Sequence, residues 1–207
     1  MRRLIYIMTS DSRPSTRERL LDATVALMRA KGAAASGTLE ILERAQAPRG
    51  SFYFHFPEGK DQLVLEALDR AAAQTLAVIE DSLACEGGAA DQVGAIFRAV
   101  EEDLVANDYE AGCAVAMTTL ERASGSERFQ QAVSAAFETW TRALTRGLVR
   151  GGVTPEQASE LSESIVAMME GAILLARARR DLAPVRAAAR TMQLAVRDGA
   201  SPTVGPA

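Results

Sequence analysis

The sequence predicts an all-α fold of about nine helices: a small three-helix, helix-turn-helix head followed by a larger helical body. Three observations lead there. Good helix formers dominate every long segment, while Gly (15) and Pro (7) are few and aromatics make up 5% of the chain. Apolar residues recur at spacings of three and four between short glycine-, proline- and serine-containing breaks. The charge is divided. Residues 1–60 carry 10 Lys+Arg and 6 Asp+Glu, a balance of +4; residues 61–207 carry 13 and 21, a balance of −8; together they give −4. A basic head on an acidic body is the footprint of a small nucleic-acid-reading unit attached to something that does not touch nucleic acid. A chain of 207 residues also suffices for a sizeable core.

The elements follow in order. Residues 1–14 are expected to be a disordered arm. Met1–Met8 has two arginines and a short apolar run but no cleavage site, too short for a signal peptide, and Met8 is an alternative start. Residues 15–62 make the head. Ser15 or Thr16 caps a first helix that runs to about Lys31, with Leu20, Thr24, Leu27 and Met28 on one face, and Gly32 ends it. Ser36 or Thr38 caps a short second helix through Ala45, built on Leu39, Ile41 and Leu42. A turn at Gln46-Ala47 leads to a third helix, about Pro48–His55, which Pro57 and Gly59 stop. Two short helices joined by a tight turn after a longer one form a helix-turn-helix unit.

Residues 63–197 make the body. A long fourth helix begins near Gly59–Asp61 and runs to about Leu83, with Leu65, Leu68, Ala72, Leu76, Ile79 and Leu83 three or four apart, and it links head to body. Further helices are expected over about Ala90–Ala106, Ala114–Ala123, Ser126–Arg150, Thr154–Arg180 and Pro184–Arg197. Thr154, Pro155 and Gln157 have the capping-box arrangement that opens the eighth. Residues 198–207, rich in Gly, Pro and Ser, are expected to be a disordered tail.

The densest chemistry lies between Ala45 and Leu63. Arg49, Ser51, Tyr53 and His55 are packed into seven residues, interleaved with Gly50, Phe52, Phe54 and Phe56. On a helical wheel Phe52 and Phe56 share one face, while Arg49, Gly50, Tyr53 and Phe54 share another. The first face reads as core and the second as a DNA face. Arg49 is the candidate for base readout, since bidentate Arg–guanine is the commonest specific contact. Gly50 permits close backbone approach. Ser51, Tyr53, His55 and Lys60 are positioned for phosphates, as are the hydroxyls of Ser36 and Thr38. His55 is also compatible with packing under the third helix.

This stretch resembles the recognition region of TetR-family regulators through Arg49-Gly50-Ser51-Phe52-Tyr53, His55-Phe56, Lys60 and Leu63. Within that family it is most similar to the LmrA/YxaF-type subgroup, through Ala47-Pro48-Arg49-Gly50-Ser51 and the extra glycine before Lys60. Gly112-Cys113, the Phe137–Trp140 pair, Glu170-Gly171-Ala172 and Arg177–Asp181 extend the resemblance into the body. Two positions depart from the pattern. Gln46 stands where the family usually has a turn glycine, so it reaches the turn conformation without glycine's freedom. Phe54 replaces a residue that is often polar and offers an apolar contact to a thymine methyl instead.

The resemblance implies a ligand-responsive, DNA-binding transcriptional regulator, a repressor released from its double-stranded operator by a small apolar effector. Phe97, Met117, Phe137, Trp140, Met168 and Met169 are candidates for an effector pocket in the body, and each also fits plain core packing. Helices eight and nine are the expected homodimer surface, with Ile165, Ala172, Ile173, Ala176, Ala188 and Met192 as the candidate contacts. Facing the protomer's own body is the alternative role for those six. A two-fold dimer doubles what one short helix can read.

The remaining classes find little support. Cys85 and Cys113 have no metal-ligand spacing and there is one histidine, so neither a metal nor another cofactor is expected. Both cysteines read as ordinary thiols. No stretch reaches the length of a membrane span, and the compartment expected by default is the cytoplasm. No nucleophile–base motif points to an enzyme. The alternative is a helical ligand-binding protein or enzyme with a vestigial head.

Overall fold

The computed structural model describes residues 14–199. Among them are nine α-helices and no strand: α1 Thr16–Lys31, α2 Thr38–Arg44, α3 Ser51–His55, α4 Lys60–Leu83, α5 Ala89–Ala106, α6 Ala114–Arg122, α7 Glu127–Arg150, α8 Pro155–Arg179 and α9 Ala183–Gly199, with a 3₁₀ turn at Ala123–Gly125. The expected arm and tail lie outside the described residues except for Pro14, Asp198 and Gly199, and the last two continue α9.

Local chemistry sets the helix ends. The Ser15 hydroxyl accepts the Glu18 N–H at 3.2 Å, and the Glu18 carboxylate accepts the Ser15 N–H at 2.8 Å, a capping box that satisfies two orphan amides. Those bonds from Ser15 hold the Glu18 carboxyl below its ordinary range. Thr154 caps α8 by accepting the Gln157 N–H at 3.4 Å, with Pro155 at the first helical position. The sequence expectation fails at α2. Its N-cap is Gly37, and no side chain caps it.

The helices share one hydrophobic core that runs from head to body. Leu20, Met28, Ile41, Phe52 and Phe56 fill the head around Leu63 and Val64, the first buried residues of α4. Further along, Ile79 and Leu83 of α4 join Val93, Phe97, Trp140 and Leu148. The Trp140 indole N–H donates to the Ala72 carbonyl of α4 at 3.0 Å, which satisfies the one polar atom of a ring otherwise fully buried. With 24 residues, about 36 Å, α4 is long enough to carry packing from one part to the other. None of the described helices is long and apolar enough to cross a membrane.

Further ties join head and body, among them the following three. The Gly112 N–H donates to the Arg29 carbonyl at 2.8 Å while Arg29 Nε donates back to the Gly112 carbonyl at 3.0 Å. The Glu121 carboxylate of α6 accepts the Ala34 N–H at 2.9 Å. Arg122 pairs with Asp61 at 2.7 Å, tying the end of α6 to the start of α4.

Candidate nucleic-acid interface

The turn between α2 and α3 is a Schellman motif. The Gln46 N–H donates to the Glu43 carbonyl at 3.0 Å and the Ala47 N–H to the Leu42 carbonyl at 3.0 Å. The motif needs a left-handed residue after the cap, and Gln46 supplies it at φ 49°. Arg19, which the sequence did not single out, clamps this turn to α1. Its Nε donates to the Ala45 carbonyl at 3.0 Å, and one of its terminal nitrogens donates to the Pro14 carbonyl at 2.9 Å. The left-handed conformation costs a non-glycine residue about 1–2 kcal/mol, partly offset by the larger entropy glycine loses on folding. Gln46→Gly is therefore expected to stabilise the protein by about 0.5–1 kcal/mol and raise the melting temperature by a few degrees, about 2–4 °C per kcal/mol. A lower melting temperature would mean that the Gln46 side chain contributes more than its backbone costs.

Helix α3 comprises only Ser51–His55. The expected start at Pro48 is corrected: Pro48-Arg49-Gly50 is a turn closed by the Ser51 N–H and hydroxyl, which donate to the Pro48 carbonyl at 3.0 and 2.6 Å. Phe52 and Phe56 are 2% and 0% exposed, their rings 6.1 Å apart. Tyr53 and Phe54, on the other side, are 71% and 82% exposed. Arg49 and Gly50 are exposed beside them, and nothing lies within 4 Å of where a Gly50 Cβ would sit. His55 is half-buried, edge-on to Phe54 at 5.0 Å between centroids.

Lys60 opens α4 directly after Gly59, whose φ of 83° turns the chain sharply. Its Nζ donates to the Ala34 carbonyl at 3.4 Å. The amine thus lies at a helix N-terminus, where unpaired backbone N–H groups and the helix dipole favour an anion. Ser36 is a correction. It is fully buried, and its hydroxyl donates to the Gly32 carbonyl at 2.7 Å, so it neither caps α2 nor faces a phosphate. Thr38 is half-buried at the first position of α2 and does not cap it either. Arg44, absent from the sequence-based set, is exposed at the end of α2 and makes no ion pair among the described residues.

The body places two further sets of candidates, and it corrects the dimer set. Phe97, Trp140 and Met169 are buried, and Met117, Phe137 and Met168 are half-buried, with the Phe137 and Trp140 rings edge-to-face at 5.4 Å. Two surface clefts, of about 360 Å³ beside Leu39, Gln46 and Arg49 and about 330 Å³ beside Leu161 and Ala195, include none of these six. Phe97, Trp140 and Met169 belong to the core, Phe137 and Met168 pack against it, and Met117 is half-buried on α6. The dimer candidates Ile165, Ala172, Ala176, Ala188 and Met192 are buried in their own protomer, and Ile173 is half-buried, because that side of α8 and α9 packs on the body. The outward side of α8 carries Ala167, Gly171, Leu174, Leu175 and Ala178, with Leu174 64% exposed. Beside it, α9 turns Ala187, Thr191 and Leu194 outward, Leu194 at 59%.

Cys85 is exposed. The Cys113 thiol is pushed far above its ordinary range by burial and then by the nearby Glu170 carboxyl. Among the described residues no cluster of three or more His, Cys, Asp or Glu could hold a metal.

The profile described as bacterial regulatory proteins, tetR family, matches residues 20–67. The profile described as transcriptional regulator LmrA/YxaF-like, C-terminal domain, matches residues 89–191. An uncharacterised HTH-type transcriptional regulator of Mycobacterium tuberculosis is 34% identical over 174 residues, covering 82% of this chain and 88% of that protein. The HTH-type transcriptional regulator LmrA of Bacillus subtilis is 28% identical over 170 residues, covering 82% and 90%. A TetR transcriptional regulator from Legionella pneumophila, of known structure, shares the fold with a TM-score of 0.79 at 22% identity, over 88% of this chain and 98% of that one.

Proposed function

The chain belongs to the TetR family of bacterial transcriptional regulators, and we propose that it acts as a homodimeric repressor released from its operator by a small apolar molecule. The observation that carries the DNA-reading role is α3. One side of this five-residue helix is anchored in the core by Phe52 and Phe56, while Arg49, Tyr53 and Phe54 stand in solvent on the other. Exposed aromatics beside a guanidinium that has no partner among the described residues ask for a partner with phosphates and base edges. Arg49 reads a base, Phe54 meets a thymine methyl, and Gly50, Ser51, Tyr53, His55 and Lys60 set the helix on the backbone, with Thr38 and Arg44 at its flank.

Pairing runs through the outward stripe of α8 and α9. Ala167, Gly171 and Ala178 let two α8 helices approach, and Leu174, Leu175 and Leu194 supply apolar surface that the protomer leaves in water. Two heads then reach successive major grooves of a two-fold operator.

Effector binding acts through α4 and the ties around α6. A ligand in the body favours a packing in which α4 tilts and the heads leave register. It does so only by its difference in affinity between the two states, and a 100-fold difference corresponds to about 2.7 kcal/mol of coupling. Solution scattering with and without inducer should show a changed head-to-head distance; an unchanged distance would remove this mechanism.

Fluorescence anisotropy tests the whole reading. The upstream DNA of the gene itself and a scrambled duplex are titrated across a salt series. Tight binding to the upstream site at dimer stoichiometry supports it. Equal, weak binding to both overturns sequence reading at that site.

A further inference from the structure

We infer that the ligand of the body carries a hydrogen-bond donor, a hydroxyl or ammonium group, that pairs with the free oxygen of Glu170. This deepens the effector reading above and rests on it. Buried polar groups in this protein are otherwise closely matched. The hydroxyls of Thr24, Ser82, Thr118 and Ser162 each donate to the carbonyl one turn earlier, at 2.7, 2.7, 2.8 and 2.6 Å, and the Trp140 indole reaches Ala72. Glu170 Oε1 departs from this. It is wholly shielded from solvent and has no hydrogen-bond partner among the described residues. An unsatisfied buried oxygen is costly and asks for an explanation.

The surroundings suit a ligand. Glu170 sits in the apolar run Val166–Ala176 of α8 and faces Cys113, whose thiol interacts with its carboxyl. Cys113 itself caps α6 by accepting the Ala116 N–H at 3.4 Å, and Met117 lies one turn further along the same helix. A single acceptor set among soft, apolar side chains is the pattern of a small-molecule site, where few polar groups fix orientation. Burial pushes the Glu170 carboxyl upward, and the bond with Cys113 opposes that shift. Cys113 also follows Gly112, the residue that exchanges hydrogen bonds with Arg29 of the head. A ligand held by Glu170 therefore touches the residue next to a head–body tie.

Two measurements on the full-length protein test this. The first needs no ligand. Glu170→Leu should raise the melting temperature at pH 8, because it removes an oxygen that the empty protein cannot satisfy. An unchanged or lowered melting temperature overturns the proposal, since solvent or the thiol then already satisfies that oxygen. The second is calorimetric titration with matched pairs: 2-naphthol against 2-methoxynaphthalene, and 2-naphthylmethylamine against 2-ethylnaphthalene, extended to other aryl alcohols and aryl methylamines with capped counterparts. The donor-bearing member of a binding pair should bind about tenfold or more tightly to the native protein. In Glu170→Leu that preference should vanish while the capped member binds as before. Equal binding of both members to the native protein overturns the Glu170 proposal and leaves a ligand-binding body standing. Failure of every pair to bind removes the apolar effector site itself, and the proposal with it.

Discussion

Leu174→Glu is expected to turn the dimer into well-folded monomers and to lower operator affinity by about 10²–10⁴-fold, the range lost when two linked binding events become separate ones. The side chain is 64% exposed in the protomer, so a carboxylate there meets water and leaves the core untouched. Across a two-fold interface the same substitution places two like charges in an apolar seam and buries them without partners. Gly171→Leu is the companion variant. Nothing lies within 4 Å of a Cβ at Gly171, and leucine is a better helix former than glycine, so the protomer should gain stability by up to about 1 kcal/mol. Its bulk obstructs only a second copy. Sedimentation velocity and circular dichroism read both variants. If both remain dimeric with native DNA affinity, pairing uses another surface.

Helix α8 also shows where the sequence stops being legible. Helix α8 is apolar on two sides. Ile165, Ala172 and Ala176 read as a close-approach stripe, and so do Ala167, Gly171 and Ala178. Periodicity finds both stripes but does not assign them, because the choice depends on which one the rest of the body covers. Packing covers the first. The head was more legible, since Phe52 and Phe56, one helical turn apart, mark the buried side of α3, and the missing turn glycine pointed straight to Gln46, whose φ is 49°. Arg19 was not legible, because its partners are backbone carbonyls 26 and 5 residues away, and a carbonyl leaves no mark in a sequence. Ser36 misled for a related reason. A hydroxyl at a helix start suggests a cap, but burial turned this one back to the Gly32 carbonyl. Glu170 entered the sequence reading only through the Glu170-Gly171-Ala172 resemblance, and its free oxygen emerges from the packing of α8 against Cys113.

Arg49→Ala and Lys60→Ala should separate the two halves of recognition. Arg49 is exposed in the turn before α3, and loss of a bidentate base contact costs about 1–3 kcal/mol per half-site and relaxes choice at the base it reads. Binding to scrambled DNA should change far less, and the salt slope should shift only slightly. Lys60 stands at the N-terminus of α4, and in the proposed complex it meets a phosphate whatever the sequence. Its loss should weaken cognate and scrambled duplexes alike and flatten the dependence of log K on log salt by about one unit per protomer. The bond from Nζ to the Ala34 carbonyl is long, at 3.4 Å, so removing the amine should leave the head's stability nearly intact, which a thermal melt checks first. The discriminating quantity is the ratio of cognate to scrambled affinity at each salt concentration. It should fall for Arg49→Ala and hold for Lys60→Ala. If both variants move that ratio equally, Arg49 and Lys60 share one role, and sequence choice must come from Phe54 and the remaining groups on α3 or from the shape of the operator.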